Sequence, residues 1–133
     1  MSRENVELIE RMLGEAQHNP SALYEIVDDD AHWEVGELDL PDAPLTYRGP
    51  AGVREFFRQW VGTFDDWGYE VGEVIDAGDS VVVHIHQWGR GKGSGVAVDQ
   101  WFWQVWTLRD RKVIRGMHHY AKADALEAVG LSE

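Results

Sequence analysis

The sequence contains no cysteine. Disulfide bridges, thiolate metal ligands and cysteine nucleophiles are therefore excluded. Basic residues are scarce as well: 12 Lys and Arg stand against 24 Asp and Glu, a formal net charge of −12. A surface so charged repels phosphate backbones and anionic bilayers, so nucleic acid and membrane are not expected as partners. No apolar run approaches the ~18 residues of a membrane-crossing helix. The polar start Met1-Ser2-Arg3-Glu4-Asn5 does not read as a signal peptide, and a cytoplasmic location is expected. Proline is rare too, and three of the four prolines lie between residues 37 and 50, marking that stretch as a loop.

What is present is the pattern of one globular domain over residues 1–133. Val6, Ile9, Met12, Leu13 and Ala16 fall on one face of a helix over 3–17, with Ser2 as its N-cap. Asn19-Pro20 opens a short second helix, and Asp28-Asp29-Asp30 is read as its solvated end. Residues 31–36 alternate as a strand. From Pro50-Ala51-Gly52, the residues Val53, Phe56, Phe57, Trp60, Val61 and Phe64 keep helical spacing. The period then changes to two, giving strands near 69–77, 80–90, 96–109 and 112–120. A last helix over Ala123–Val129 ends at Gly130 as its C′ residue. Helices followed by a strand meander predict an α+β domain.

The order of elements and several phrases resemble the SnoaL-like branch of the nuclear transport factor 2-like superfamily. The phrases are Tyr47-Arg48-Gly49-Pro50-Ala51-Gly52-Val53-Arg54-Glu55-Phe56-Phe57, the hairpin Asp76-Ala77-Gly78-Asp79-Ser80-Val81-Val82-Val83, the strand turn Val105 to Val113 and the tail Ala125 to Leu131. Arg111 stands in that turn where glycine is usual. The resemblance implies a curved antiparallel or mixed sheet wrapped around the N-terminal helices as a cone, with an internal pocket. It also implies pairing of two copies through the outer sheet face. It leaves the chemistry open, because such folds serve cyclases, isomerases, hydrolases, dehydratases and non-catalytic binders.

Strand alternation divides the aromatic residues between two faces. By resemblance to the cyclases, Gln104 and His118 occupy two pocket-facing polar positions. Trp33, Phe57, Trp60, Phe64, Phe102, Trp106, Gly116 and Tyr120 are then expected to line a pocket for a small apolar or aromatic molecule. The alternative is that these rings simply fill the core. His84, His86, Trp88, Trp101 and Trp103 point to the other face, where a second subunit is the expected cover. A β-bulge would exchange the two faces.

His118 is the candidate acid or base and Gln104 the orienting donor, with Tyr120 as helper. Residue types at both positions differ from the cyclase pattern, and Val35 stands near the place of the isomerase aspartate. Asp99 and Arg115 fall outside by parity, against the Asp–Arg–Asp set of epoxide hydrolysis. His84-x-His86 lacks further metal ligands, and the glycine-rich 89–95 is a hairpin tip rather than a phosphate loop. No metal or organic cofactor is expected. Three functions follow: an isomerase, cyclase or dehydratase acting by proton transfer, a ligand-binding or carrier protein, and a structural dimerisation module with a filled core.

Overall fold

The computed structural model describes residues 2–36 and 46–131. Two helices, α1 (Ser2–Ala16) and α2 (Ser21–Glu25), precede strand β1 (Val27–Glu34). Strand β2 (Thr46–Arg48) and helix α3 (Gly49–Val61) follow. The meander β3 (Phe64–Ala77), β4 (Ser80–Gly91), β5 (Ala97–Arg109) and β6 (Lys112–His119) then leads to α4 (Lys122–Ala128). The strands make one mixed sheet in the order β2-β1-β6-β5-β4-β3. Among the described strands, β1 and β6 alone run parallel. The α+β class read from the sequence is therefore the class observed.

Helix α1 buries Val6, Ile9, Met12 and Leu13 against β3 and β4, while α3 buries Val53 and Phe56 against β1. Tyr69 fastens the first of these contacts: its hydroxyl donates to the Leu13 carbonyl at 2.6 Å. The inner sheet face supplies Val81, Val83, Ile85, Phe102, Trp106 and Leu108 to the same core. Register breaks within β3, and between β1, β5 and β6, bend the sheet over these helices.

Several boundaries differ from the sequence reading. Asp28, Asp29 and Asp30 do not end a helix but lie in β1. Val27 pairs with Val113 and the register breaks before His32, so the three aspartates form an irregular, largely exposed stretch inside the strand. Pro20, not Asn19, sits at the α2 N-cap, with no side-chain cap. Part of the expected loop is strand β2; residues 37–45 lie outside the described residues. Phe64 belongs to β3, not to the helix. Thr63 closes α3 first, its backbone N–H and hydroxyl both reaching the Trp60 carbonyl at 3.2 and 2.7 Å. Helix α4 packs on the outer sheet face, burying Trp103 with Val82, Val105 and Ala125. Its end follows expectation: Gly130 has φ 77° and the Leu131 N–H bonds the Leu126 carbonyl at 2.9 Å.

The β5–β6 turn holds Asp110 at φ 52° and Arg111 at φ 65°, a left-handed pair that glycine tolerates best. A left-handed non-glycine residue costs about 1 kcal/mol. Arg111 recovers part of this through an exposed ion pair with Glu4 at 2.8 Å, worth at most about 1 kcal/mol. Arg111→Gly is therefore expected to leave stability unchanged or to raise it by up to about 1 kcal/mol, as read from a urea unfolding midpoint.

Candidate functional site

Trp33 is the centre of the interior. It is fully buried, with its ring centroid 4.8 Å from Trp106, 5.2 Å from Phe57, 5.3 Å from His118 and 5.8 Å from Phe56. Gly116 lies opposite it on β6 and leaves the space the indole fills; a Cβ there would meet the ring at 2.1 Å. Phe56 and Phe102 flank His118 at 5.3 and 5.6 Å. The side chain of each of these residues is at least half-buried, and Phe57 is the least enclosed of the rings.

Gln104 and His118 face each other across β5 and β6, both buried. The Trp33 indole N–H donates to His118 Nε2 at 3.1 Å, and the Trp106 indole N–H donates to Gln104 Oε1 at 3.1 Å. His118 Nδ1 is buried without a hydrogen-bond partner. Burial, with a smaller contribution from His119, pushes the His118 pKa down to about 3. The ring is therefore neutral near pH 7, and it lacks the second proton that an imidazolium would give as a general acid. The polar or charged residues buried among those described are Ser80, Gln87, Gln104 and His118, so no carboxylate stands in this interior as a base.

A second polar group lies further along the inner face. Gln87 is fully buried; its Oε1 accepts from the indoles of Trp60 at 3.0 Å and Trp67 at 2.9 Å, and its amide donates to Gln100 at 3.1 Å. Trp60 also touches Phe64 at 5.8 Å. The pocket lining expected from the sequence includes Trp60 and Phe64 but not Gln87, Trp67 or Phe56, which the sequence reading placed only on the apolar face of the helix. Gln87 was within reach, since it shares the parity of Val81, Val83 and Ile85. Tyr120 lies beyond the end of β6 and is 43% exposed.

On the outer face the expected aromatic set does assemble. His84 stacks on Trp103 at 4.1 Å and His86 on Trp101 at 4.6 Å, with Trp88 5.3 Å from His86. Trp88 and Trp101 remain 39% and 45% exposed, whereas Trp103 is covered by α4 of its own chain. Both nitrogens of His86 meet carboxylates at 2.8 Å, Glu70 from β3 and Asp99 from β5. These bonds raise its pKa, whereas burial lowers that of His84. With both His86 nitrogens so engaged, the two histidines do not converge on one ion, and no group of three possible ligands forms among the described residues.

Neither of two recesses in the surface is lined by His118 or Gln104. One of about 660 Å³ lies at the turn end of the sheet, lined by residues including Glu4, Asn5, Asp79, Arg109 and Arg111. The other, about 30 Å³, lies beneath α4 beside Val105, Met117 and Ala128.

A family model described as a SnoaL-like domain matches residues 9–116. Among solved structures, TerC co-crystallised with polyporic acid is 23% identical, covers 94% of this chain and 97% of its own, and has a TM-score of 0.73. A protein assigned as a SnoaL-like polyketide cyclase from Jannaschia sp. CCS1 is 21% identical, with coverage of 98% and 94% and a TM-score of 0.75. A protein of ketosteroid isomerase-like fold from Catenulispora acidiphila DSM 44928, in complex with trimethylamine, is 15% identical, with coverage of 90% and 92% and a TM-score of 0.68. Among curated proteins, no sequence matches significantly. At these identities the structural likeness establishes the fold alone.

Proposed function

This chain belongs to the SnoaL-like domain family, and from that premise we propose that it binds a small, largely apolar molecule inside the cone, against Trp33, Phe57, Phe102, Trp106, Gln104 and His118. One observation carries the reading: the buried His118 keeps an unpaired nitrogen among aromatic rings. A buried polar atom left without a partner costs roughly 1–3 kcal/mol, which a core built only for packing would not retain. Binding is favoured over proton-transfer catalysis, because His118 is neutral and the described interior holds no carboxylate. Trp60 and Phe64 extend the apolar wall; Gly116 shapes it by admitting Trp33.

Polyporic acid, present in the TerC structure, is a direct probe. Titrated into the protein, it is expected to quench tryptophan fluorescence and to shift the NMR signals of Trp33, Phe102, Gln104 and His118. Shifts confined to the outer face, or no response, would remove the cone as its site. A filled-core module is the second reading, favoured by the two recesses lying elsewhere.

A homodimer through the outer face accompanies this proposal. Trp88 and Trp101 stay exposed there. Glu34 pairs with Arg115 and Glu73 with Lys122, Glu70 and Asp99 both bond His86, and Arg48 adds a further cation, so the patch is near neutral on a chain of net charge −12. A neutral aromatic patch is where two such acidic copies meet with least repulsion. A cytoplasmic location is proposed on composition alone.

His86 makes the β3–β4–β5 edge depend on pH. Its folded pKa is raised above 6.5 by Glu70 first and Asp99 second. The stability it contributes is complete below pH 6.5 and is lost as pH rises through the higher folded value. Wild type is expected to lose urea resistance over that window while His86→Gln changes little; parallel curves would contradict the assignment.

A further inference from the structure

We propose that the proton on His86 controls whether two copies of this chain associate through the outer sheet face, so that the dimer belongs to the protonated form. The inference rests on the outer-face dimer proposed above. It concerns how that dimer is regulated.

The outer face is built around this imidazole. Five rings from β4 and β5 interleave in the order Trp103, His84, Trp101, His86, Trp88, with successive centroids 4.1, 4.5, 4.6 and 5.3 Å apart. Edge strand β3 seats the two exposed indoles on glycines. A Cβ at Gly68 would lie 2.8 Å from the Trp88 ring, and one at Gly72 would lie 3.2 Å from Trp101. Helix α4 covers the Trp103 end, so the open end is Trp101, His86 and Trp88. A second copy is the occupant this surface fits. It carries acids together with their cations, so in an isologous contact it complements itself.

Each nitrogen of His86 reaches a carboxylate at 2.8 Å, Glu70 on β3 and Asp99 on β5. An ionised carboxylate only accepts, so both contacts are hydrogen bonds only in the imidazolium. The same bonds hold the His86 pKa above the ordinary 6.5. The other charged groups along the column are engaged elsewhere: Glu73 of β3 pairs with Lys122 of α4, and Arg90, past Trp88 on β4, donates to the Gly95 carbonyl. Burial pushes His84 toward its neutral form. His86 is thus the ring of this column that changes charge as solution turns from mildly acidic to mildly alkaline.

Loss of that proton opposes association in two ways. It adds a negative charge to the face where a chain of net charge −12 meets its own copy. It also sets one carboxylate against a nitrogen lone pair, so that an interface would enclose that carboxylate without its hydrogen bond. In an isologous contact both effects occur in each copy.

Sedimentation velocity of the whole chain at about pH 6 and about pH 9 tests the proposal, with Asp99→Asn as the matched variant. In wild type the dimer dissociation constant is expected to rise about tenfold or more across that range. In Asp99→Asn one acidic charge is gone and the new amide can donate to the neutral ring, so the dimer is expected to persist at the higher pH. A second measurement needs no variant. Protonation and association favour each other, so the NMR titration midpoint of His86 is expected to be higher in concentrated than in dilute protein. A dimer of equal strength at both pH values, a midpoint indifferent to concentration, or parallel loss in Asp99→Asn would overturn the switch and leave the dimer. No dimer at either pH would remove the outer-face dimer and the switch with it. Trp101→Ala fixes the place: a dimer that survives it at the lower pH uses another surface, which also overturns the proposal.

Discussion

Gly116→Ala is expected to destabilise the protein by about 3 kcal/mol or more, although the same exchange in most strands is neutral or favourable. The new Cβ would lie 2.1 and 2.2 Å from two carbons of the Trp33 ring. The ring cannot retreat, because Trp106, Phe57, Phe56 and His118 enclose it. Nor can the strand yield cheaply: β6 lies between β1 and β5, and Gly116 is paired on both sides. Gly14→Ala supplies the internal control. Its Cβ would meet nothing within 4 Å, and it lies within α1. There the exchange is expected to stabilise by about 0.5–1 kcal/mol. Chemical unfolding of both variants decides the comparison. If Gly116→Ala unfolds at the wild-type denaturant concentration, the cage is looser than its ring distances imply.

Much of the fold was legible because period and punctuation agreed. The alternation over 80–109 placed Gln104, Phe102 and Trp106 on one face and Trp101 and Trp103 on the other, as the register of β4 with β5 has them. A bulge was the stated threat to that division, and one does occur, between Thr107 and Leu108. It lies near the turn, so it brings Val113 into the core but leaves Gly116 and His118 inward. Errors arose where two elements met without a break in apolar spacing. Phe64 continued the rhythm of α3 while belonging to β3, and the three aspartates hid a strand behind charge. Neither pairing partner, Gly91 for Phe64 nor Val113 for Val27, is local in sequence.

The candidate site was legible as a set of residues, not as a set of roles. Parity brought Trp33, Phe102, Trp106, Gln104 and His118 together, but proton positions depend on atoms that no spacing rule reaches. That His118 is neutral follows from its burial, and that Nδ1 bears the hydrogen follows from one indole across the sheet. The cover on Trp103 was equally hidden, because a seven-residue helix can dock on either face of a sheet. Lys122, at the start of that helix, lies 5.6 Å from the Trp103 ring, a cation–π contact that no spacing rule anticipates.

Trp33→Phe is expected to cost about 3 kcal/mol, through two losses that a double-mutant cycle can separate. The smaller ring leaves a void in a core that cannot close around it, since β1 and β6 fix the backbone on either side. The missing N–H also leaves His118 Nε2 as a buried acceptor without a donor, at roughly 1–3 kcal/mol. His118→Phe alone orphans the Trp33 N–H in the same manner. In the double variant neither polar atom remains, so the two costs should not add: a coupling of about 1–2 kcal/mol is expected. Strict additivity in urea unfolding would mean that the 3.1 Å contact contributes nothing. The single variant Trp33→Phe has a second consequence in the ring it leaves behind. With no indole holding Nε2 as an acceptor, the His118 proton is free to occupy either nitrogen, and the preference for Nδ1–H should fade from the ¹⁵N spectrum. If it persists, some group other than Trp33 sets the tautomer.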